Sequence, residues 1–122
     1  SWPDPKKPKF LNIVLKASCS LNPIDLLKIC KSTEVKLGRK KSLKNSPRTC
    51  DIDILDFDQK MFDKTVDNSQ LIVPHPRLHN RNFVLIPLFE LNRNWSHPKT
   101  NLSIKKLIFS LPIKDIRSIK QI

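Results

Sequence analysis

Apolar and polar positions along this chain fall into blocks, and the period within each block predicts an element. Residues 10–17 (FLNIVLKA) are apolar and β-branched, which predicts a strand. Asn22-Pro23 marks a helix start, with Asn at the cap and Pro in the first turn. Leu26, Leu27, Cys30 and Val35 then recur at mostly helical spacing, up to a stop at Leu37-Gly38. Residues 39–48 have no hydrophobic pattern and read as a basic loop. Residues 49–57 (TCDIDILDF) predict a second strand, and residues 58–70 are polar, a turn or mobile hairpin. Residues 71–73 form a short third strand, stopped by Pro74 and Pro76.

Residues 82–91 (NFVLIPLFEL) are densely apolar and belong to the core, although Pro87 argues against one unbroken helix. Residues 102–111 (LSIKKLIFSL) have helical spacing with lysines on the outer face. The tail, residues 115–122, alternates as a final edge strand or a frayed end, and residues 1–9 read as a loop or incoming arm. No repeat is visible. Strands and helices alternate without the glycine-rich turns of a dinucleotide fold, so the class is α+β, in a single domain spanning residues 1–122.

Composition narrows the function. The 122 residues carry 23 Lys+Arg against 11 Asp+Glu, a formal net charge of +12. That excess implies an anionic partner: nucleic acid, a phosphate-bearing small molecule or a membrane surface, against the plain alternative of a basic soluble surface. No run is long enough to span a membrane and no signal peptide is visible, so a cytoplasmic protein is expected. Cys19, Cys30 and Cys50 are widely spaced, form no C-x-x-C pair and read as buried thiols. There is a single glycine, Gly38, where folded domains average about 7%.

Against this basic background, Asp51 and Asp53 stand one residue apart in an apolar run. A strand sends residues i and i+2 to one face, so both carboxylates point one way and Ile52 and Ile54 the other. At a rise of about 3.3 Å per residue their Cα atoms lie about 6–7 Å apart, close enough to converge on one or two cations. Magnesium prefers such a donor set, a few carboxylates completed by substrate phosphates. The alternative is a solvated sheet face, in which Asp is uncommon. The neighbouring basic loop, with Arg39, Lys40, Lys41, Lys44 and Arg48, suits a polyphosphate clamp or, more plainly, a solvated charge run.

A second cluster is VPHPRLHNRNF, residues 73–83. His75 and His79 have the i, i+4 spacing of a zinc pair, but the prolines beside His75 oppose a helix and no third ligand is near. His75, Arg77 and Arg81 read better as donors to phosphate or substrate. His97 reads as a structural hydrogen-bonding group. Neither a G-x-x-x-x-G-K loop nor a G-x-S-x-G elbow occurs, and no cysteine has an activating partner, so covalent nucleophilic chemistry is not expected.

Taken in order, these pieces resemble the 6-hydroxymethyl-7,8-dihydropterin pyrophosphokinases. PKFLN (8–12) is similar to the family's P-x-[FY]-x-N, and LNP followed by LL (21–27) to its L-x-P-x-x-LL. EVKLGR (34–39) is similar to E-x-x-x-GR, PRTCDID (47–53) to PRT-x-D-x-D, and PHPRLHNRNFVLIPL (74–88) to PHPR-x-x-x-R-x-F-V-L-x-P-L. The resemblance covers residues 1 to about 92, and the last two motifs are highly specific.

It implies a ferredoxin-like sandwich, an antiparallel sheet with helices packed on it, whose first strand, Gly-Ser-Asn-type loop and first helix are missing from this chain. It implies pyrophosphate transfer from ATP to the pterin alcohol, with release of AMP, in a monomer that binds neither nucleic acid nor membrane. Two magnesium ions would sit at Asp51 and Asp53. Arg39, Arg48, His75 and Arg81 would act on the phosphates as catalytic residues, with Lys41 alongside. Glu34 and Ile54 would lie in the nucleotide region. Asn12 would hydrogen-bond the pterin, with Phe10 and Phe83 stacking around it and Trp2 near the pterin-side loop. Lys41 stands where many members have arginine, and Asn45-Ser46 where many have Trp-Gly.

Two other readings compete. A basic nucleic-acid-binding module explains the charge but leaves the acid pair without a purpose, and the chain has no tyrosine to stack on bases. A magnesium nuclease uses the acid pair but lacks an obvious general base.

Overall fold

The computed structural model describes residues 11–38 and 50–112. They form α1 (Pro23–Lys36), an antiparallel hairpin of β1 (Phe62–Val66) and β2 (Ser69–Val73), a single 3-10 turn (Leu78–Asn80), α2 (Asn82–Leu91) and α3 (Ile104–Phe109). The class is α+β.

Local chemistry sets the bounds of α1. The Asn22 side chain accepts the Asp25 N–H at 2.9 Å, satisfying one of the first-turn donors, and Pro23 supplies a preset φ. At the other end the Leu37 and Gly38 N–H groups bond back to the Thr33 and Val35 carbonyls, and Gly38 takes φ 115°.

The polar stretch 58–70 resolves as a hairpin. Phe62 pairs with Val73 and Val66 with Ser69, leaving Asp67 and Asn68 as the two-residue turn. Both turn residues have positive φ, 51° and 63°, as a type I′ turn requires, and Asp and Asn tolerate that region well. The polar centre of β1, Asp63-Lys64-Thr65, faces solvent, which is why its composition conceals a strand.

Two segments expected as strands differ from that reading. Residues 11–17 and 50–57 carry no β assignment, and the described residues contain only the two-stranded sheet. Their apolar content is real, but a strand needs a neighbour to complete its ladder. In the first segment only Val14 packs onto the core, while Leu11, Ile13 and Leu15 stand 68%, 67% and 80% exposed.

Residues 82–91 also differ from expectation: α2 is one continuous helix with Pro87 inside it. An interior proline costs about 3 kcal/mol, having no N–H to give and a ring that crowds the preceding turn. Burying Val84, Leu85 and Leu88 returns about 1.5–3 kcal/mol each, so packing prevails. The helix expected over 102–111 is present as α3, capped by Ser103, whose hydroxyl accepts the Lys106 N–H at 3.2 Å. The tail expected over 115–122 lies outside the described residues.

The hydrophobic core has two parts. Leu78, Val84, Leu85, Leu88, Trp95, Ile104, Leu107 and Leu111 join α2 to α3. Leu27, Leu71 and Val73 join α1 to the hairpin, with Ile54 and Phe57 against them. The segment 50–57 touches both, because Leu55 packs on the first part and Ile54 on the second. Cys19 is exposed and Cys30 and Cys50 are half-buried, so the expectation of three buried thiols is corrected.

Candidate functional site

The site is built on residues 50–57, held in place without a ladder among the described residues. Three contacts fix the segment. The Ile52 N–H donates to Glu34 Oε2 at 2.7 Å. The Leu55 carbonyl accepts the His75 N–H at 2.8 Å. The Asp56 carboxylate accepts the Trp95 indole N–H at 2.9 Å, and also the Gln59 backbone and side-chain N–H groups. The side chains of Glu34 and Trp95 and the backbone N–H of His75, from three distant parts of the chain, thus hold the segment.

The consequence is an alternating ribbon. Ile52 and Ile54 are half-buried while Asp51 and Asp53 are exposed, so the two carboxylates share the solvent side. Hard oxygen donors i and i+2 on one open face fit magnesium shared with a polyphosphate. Among the described residues no group of three or more His, Cys, Asp or Glu gathers into a metal cage.

His75 follows the cis Val73-Pro74 bond at one remove and is half-buried. Burial holds its imidazole below the usual range; Asp53 opposes that effect, and Arg81 and Arg77 add to it. One acid and two guanidiniums therefore act on a single ring, and the stretch 75–81 shares a neighbourhood with Asp53. The Nδ1 atom of His75 accepts the Arg77 N–H at 3.2 Å, which leaves the proton of the neutral ring on Nε2. Arg81 sits at the start of α2 with its guanidinium 5.5 Å from the centre of the Phe83 ring, a cation–π contact. Phe83 is 45% exposed, offering an open aromatic face.

Asn12 is exposed on the segment 11–17, and Ile54 lies on the inner side of the acid ribbon. Glu34 is 2% exposed and faces the backbone of Ile52. Trp2, Phe10, Arg39, Lys41 and Arg48 lie outside the described residues.

Two residues that hold the site, Asp56 and Trp95, carry no role in the sequence reading. A signal was present. Counting by twos from Ile52 puts Asp56 on the inward side, where a carboxylate needs a donor. The indole N–H of a buried Trp needs an acceptor in turn. Their separation of 39 residues hid the pairing.

Beyond them, residues 96–103 close a small loop through a bridge between Ser96 and Ser103. His97 is buried in that loop, and its Nδ1 accepts the Lys99 and Thr100 N–H groups at 3.2 and 3.3 Å. Burial holds this imidazole below its usual range as well. His79, whose ring meets that of His97 edge-on at 6.3 Å, acts in the same direction, Asp56 opposes, and Lys99 adds to the lowering.

A model of the 7,8-dihydro-6-hydroxymethylpterin-pyrophosphokinase (HPPK) family matches residues 1–93. The chain belongs to the HPPK family. It is 43% identical over 83 residues to the 2-amino-4-hydroxy-6-hydroxymethyldihydropteridine pyrophosphokinase of Bacillus subtilis, covering 68% of this chain and 47% of that protein. The Aquifex aeolicus protein of the same name is 38% identical over 117 residues, 96% of this chain and 65% of that one. The folic acid synthesis protein fol1 of Schizosaccharomyces pombe is 36% identical over 111 residues, which is 91% of this chain but 15% of that protein. This HPPK chain thus spans less than two thirds of each of these three relatives. Its matched region contains both the acid ribbon and the His75–Phe83 stretch.

Proposed function

We propose that this protein transfers pyrophosphate from ATP to 6-hydroxymethyl-7,8-dihydropterin, releasing AMP, in folate biosynthesis. The observation that carries the reading is the exposed Asp51–Asp53 pair, of which Asp53 acts on the His75 ring together with Arg77 and Arg81, inside the region matched by the HPPK family. Two of the relatives are named as pyrophosphokinases and a third as a folic acid synthesis protein.

Asp51 and Asp53 would hold magnesium, two ions by the family resemblance. Bound there, magnesium supplies positive charge to the phosphate oxygens of ATP. His75, neutral by virtue of its burial, offers Nε2–H as a hydrogen-bond donor to a phosphate oxygen. Arg81 offers a planar guanidinium to the same group while its other face lies on Phe83. Phe83 offers its exposed ring to the flat pterin, and Asn12 offers both a donor and an acceptor to the ring edge. Arg39, Arg48 and Lys41 would contact the phosphates, with Phe10 and Trp2 on the pterin side. Ile54 and Glu34 border the nucleotide region.

In the reaction the pterin hydroxymethyl oxygen bonds to the β-phosphorus of ATP. The bond from that phosphorus to the α,β-bridging oxygen breaks, AMP leaves with that oxygen, and the hydroxyl proton passes to solvent. Positioning and charge stabilisation suffice for such a transfer, and no covalent intermediate is needed.

The same reading makes the chain one catalytic domain of ferredoxin-like type. It also makes the protein a cytoplasmic monomer with no nucleic-acid or membrane partner.

The test uses the full-length protein with ATP, magnesium and the pterin alcohol, and measures AMP. Pterin-dependent AMP should form, and Asp53→Ala should abolish it. AMP release that is unchanged in Asp53→Ala sinks the metal assignment. Tight, salt-sensitive RNA binding without pterin-dependent turnover decides against the enzyme.

A further inference from the structure

We infer that Glu34 is a positioning residue whose carboxylate, by holding the Ile52 N–H, fixes the register in which Asp51 and Asp53 face solvent together. The inference rests on the metal-site reading above.

Ile52 lies between the two acids, and its N–H belongs to the peptide that joins it to Asp51. A grip at that peptide sets the facing of both neighbours. In an ordinary sheet the ladder on either side does this, and a one-residue slip sends every side chain to the opposite face. Segment 50–57 has no such ladder among the described residues. The acceptor instead comes from the last turn of α1, a helix whose buried residues are Leu27 and Glu34. The contact to Oε2 is short, 2.7 Å, as expected when the acceptor is charged. The other oxygen, Oε1, lies 3.6 Å from the Lys31 ammonium one turn back along the helix.

A buried carboxylate is held only where donors meet it. Glu34 thus spends its charge inside the protein. Turned outward to a nucleotide, it would meet a polyanion and repel it. The chemistry therefore favours an indirect role: helix to backbone, backbone to acid pair, acid pair to metal.

Two variants of the full-length protein separate this role from a merely structural one. Glu34→Met keeps the bulk and removes the acceptor; Glu34→Gln keeps a neutral acceptor. The first readout is amide hydrogen exchange at Ile52 in nucleotide-free protein, with Leu85 and Leu88 of α2 as controls. The second is the concentration of Mn2+, added alone, that broadens the Asp51 and Asp53 amide signals. In Glu34→Met, Ile52 exchange should quicken about tenfold with the α2 controls unchanged, the loss expected for one charge-assisted bond. The Mn2+ requirement should rise about tenfold, as when groups supporting a metal's ligands are removed. Glu34→Gln should recover both toward wild type. Unchanged Ile52 exchange, an unchanged Mn2+ requirement in Glu34→Met, or no recovery in Glu34→Gln would each overturn the inference. A wild-type protein that makes no AMP defeats the proposed activity and leaves these two readouts to judge Glu34 on their own.

Discussion

The indole N–H of Trp95 donates to Asp56 Oδ2 at 2.9 Å, joining the acid-bearing segment to a residue 39 positions further along. Trp95 lies in the core with α2 and α3, so this bond ties the candidate site to the main packed body of the protein. Trp95→Phe keeps an aromatic ring there but removes the donor. Asp56 would retain only the Gln59 donors among its observed partners. The expected loss is about 1–3 kcal/mol, read as a lower urea midpoint with an unchanged slope.

Leu85 is fully buried where α2 meets the core. Leu85→Ala should lower stability by about 2–5 kcal/mol, the range for removing a buried side chain and leaving a cavity. The same urea titration measures it. A loss below 1 kcal/mol would mean that the α2 packing that overrides Pro87 is weaker than the burial implies.

Phe83 behaves differently because nearly half of it faces solvent. Phe83→Ala should change the melting temperature little and raise KM for the pterin alcohol about 3- to 10-fold, from the loss of one stacking contact. Steady-state kinetics at saturating ATP separate the two effects. An unchanged KM would remove Phe83 from the pterin site.

His97 makes stability depend on pH. Its neutral ring accepts two backbone N–H bonds through Nδ1, and burial lowers its affinity for a proton. The unfolded chain has an ordinary imidazole, near 6.5, and so binds protons first as pH falls. The contribution of His97 is complete above about that pH and is lost as pH falls through its lower folded value. His97→Asn keeps a side-chain acceptor in the loop without a titrating ring. Thermal melts from pH 7.5 to 4.5 should show a shallower decline in this variant than in wild type.

What could be read from the sequence was local. Asn22 and Gly38 bounded α1 because caps act within one turn. The shared facing of Asp51 and Asp53 followed from strand parity, and Ile54 fell on the inner side by the same count. Contacts between distant residues could not be read that way. Glu34 meets Ile52 across 18 positions, and no spacing rule connects a helix carboxylate to that backbone N–H. The strand β1 was hidden because Asp63-Lys64-Thr65 faces water on an outer strand, where hydrophobic alternation is not needed. Pro87 misled because its local penalty is visible in sequence while the packing that exceeds it is not.

The exposed row of Leu11, Ile13 and Leu15 bears on how the protein behaves at high concentration. An apolar segment with no ladder among the described residues is a template for edge-to-edge association between copies. The +12 charge opposes such encounters through mutual repulsion. Salt shortens the reach of that repulsion to about 10 Å at 0.1 M and leaves the apolar contact intact. Association between copies should therefore grow as salt is added, and light scattering across a range of ionic strengths would check it.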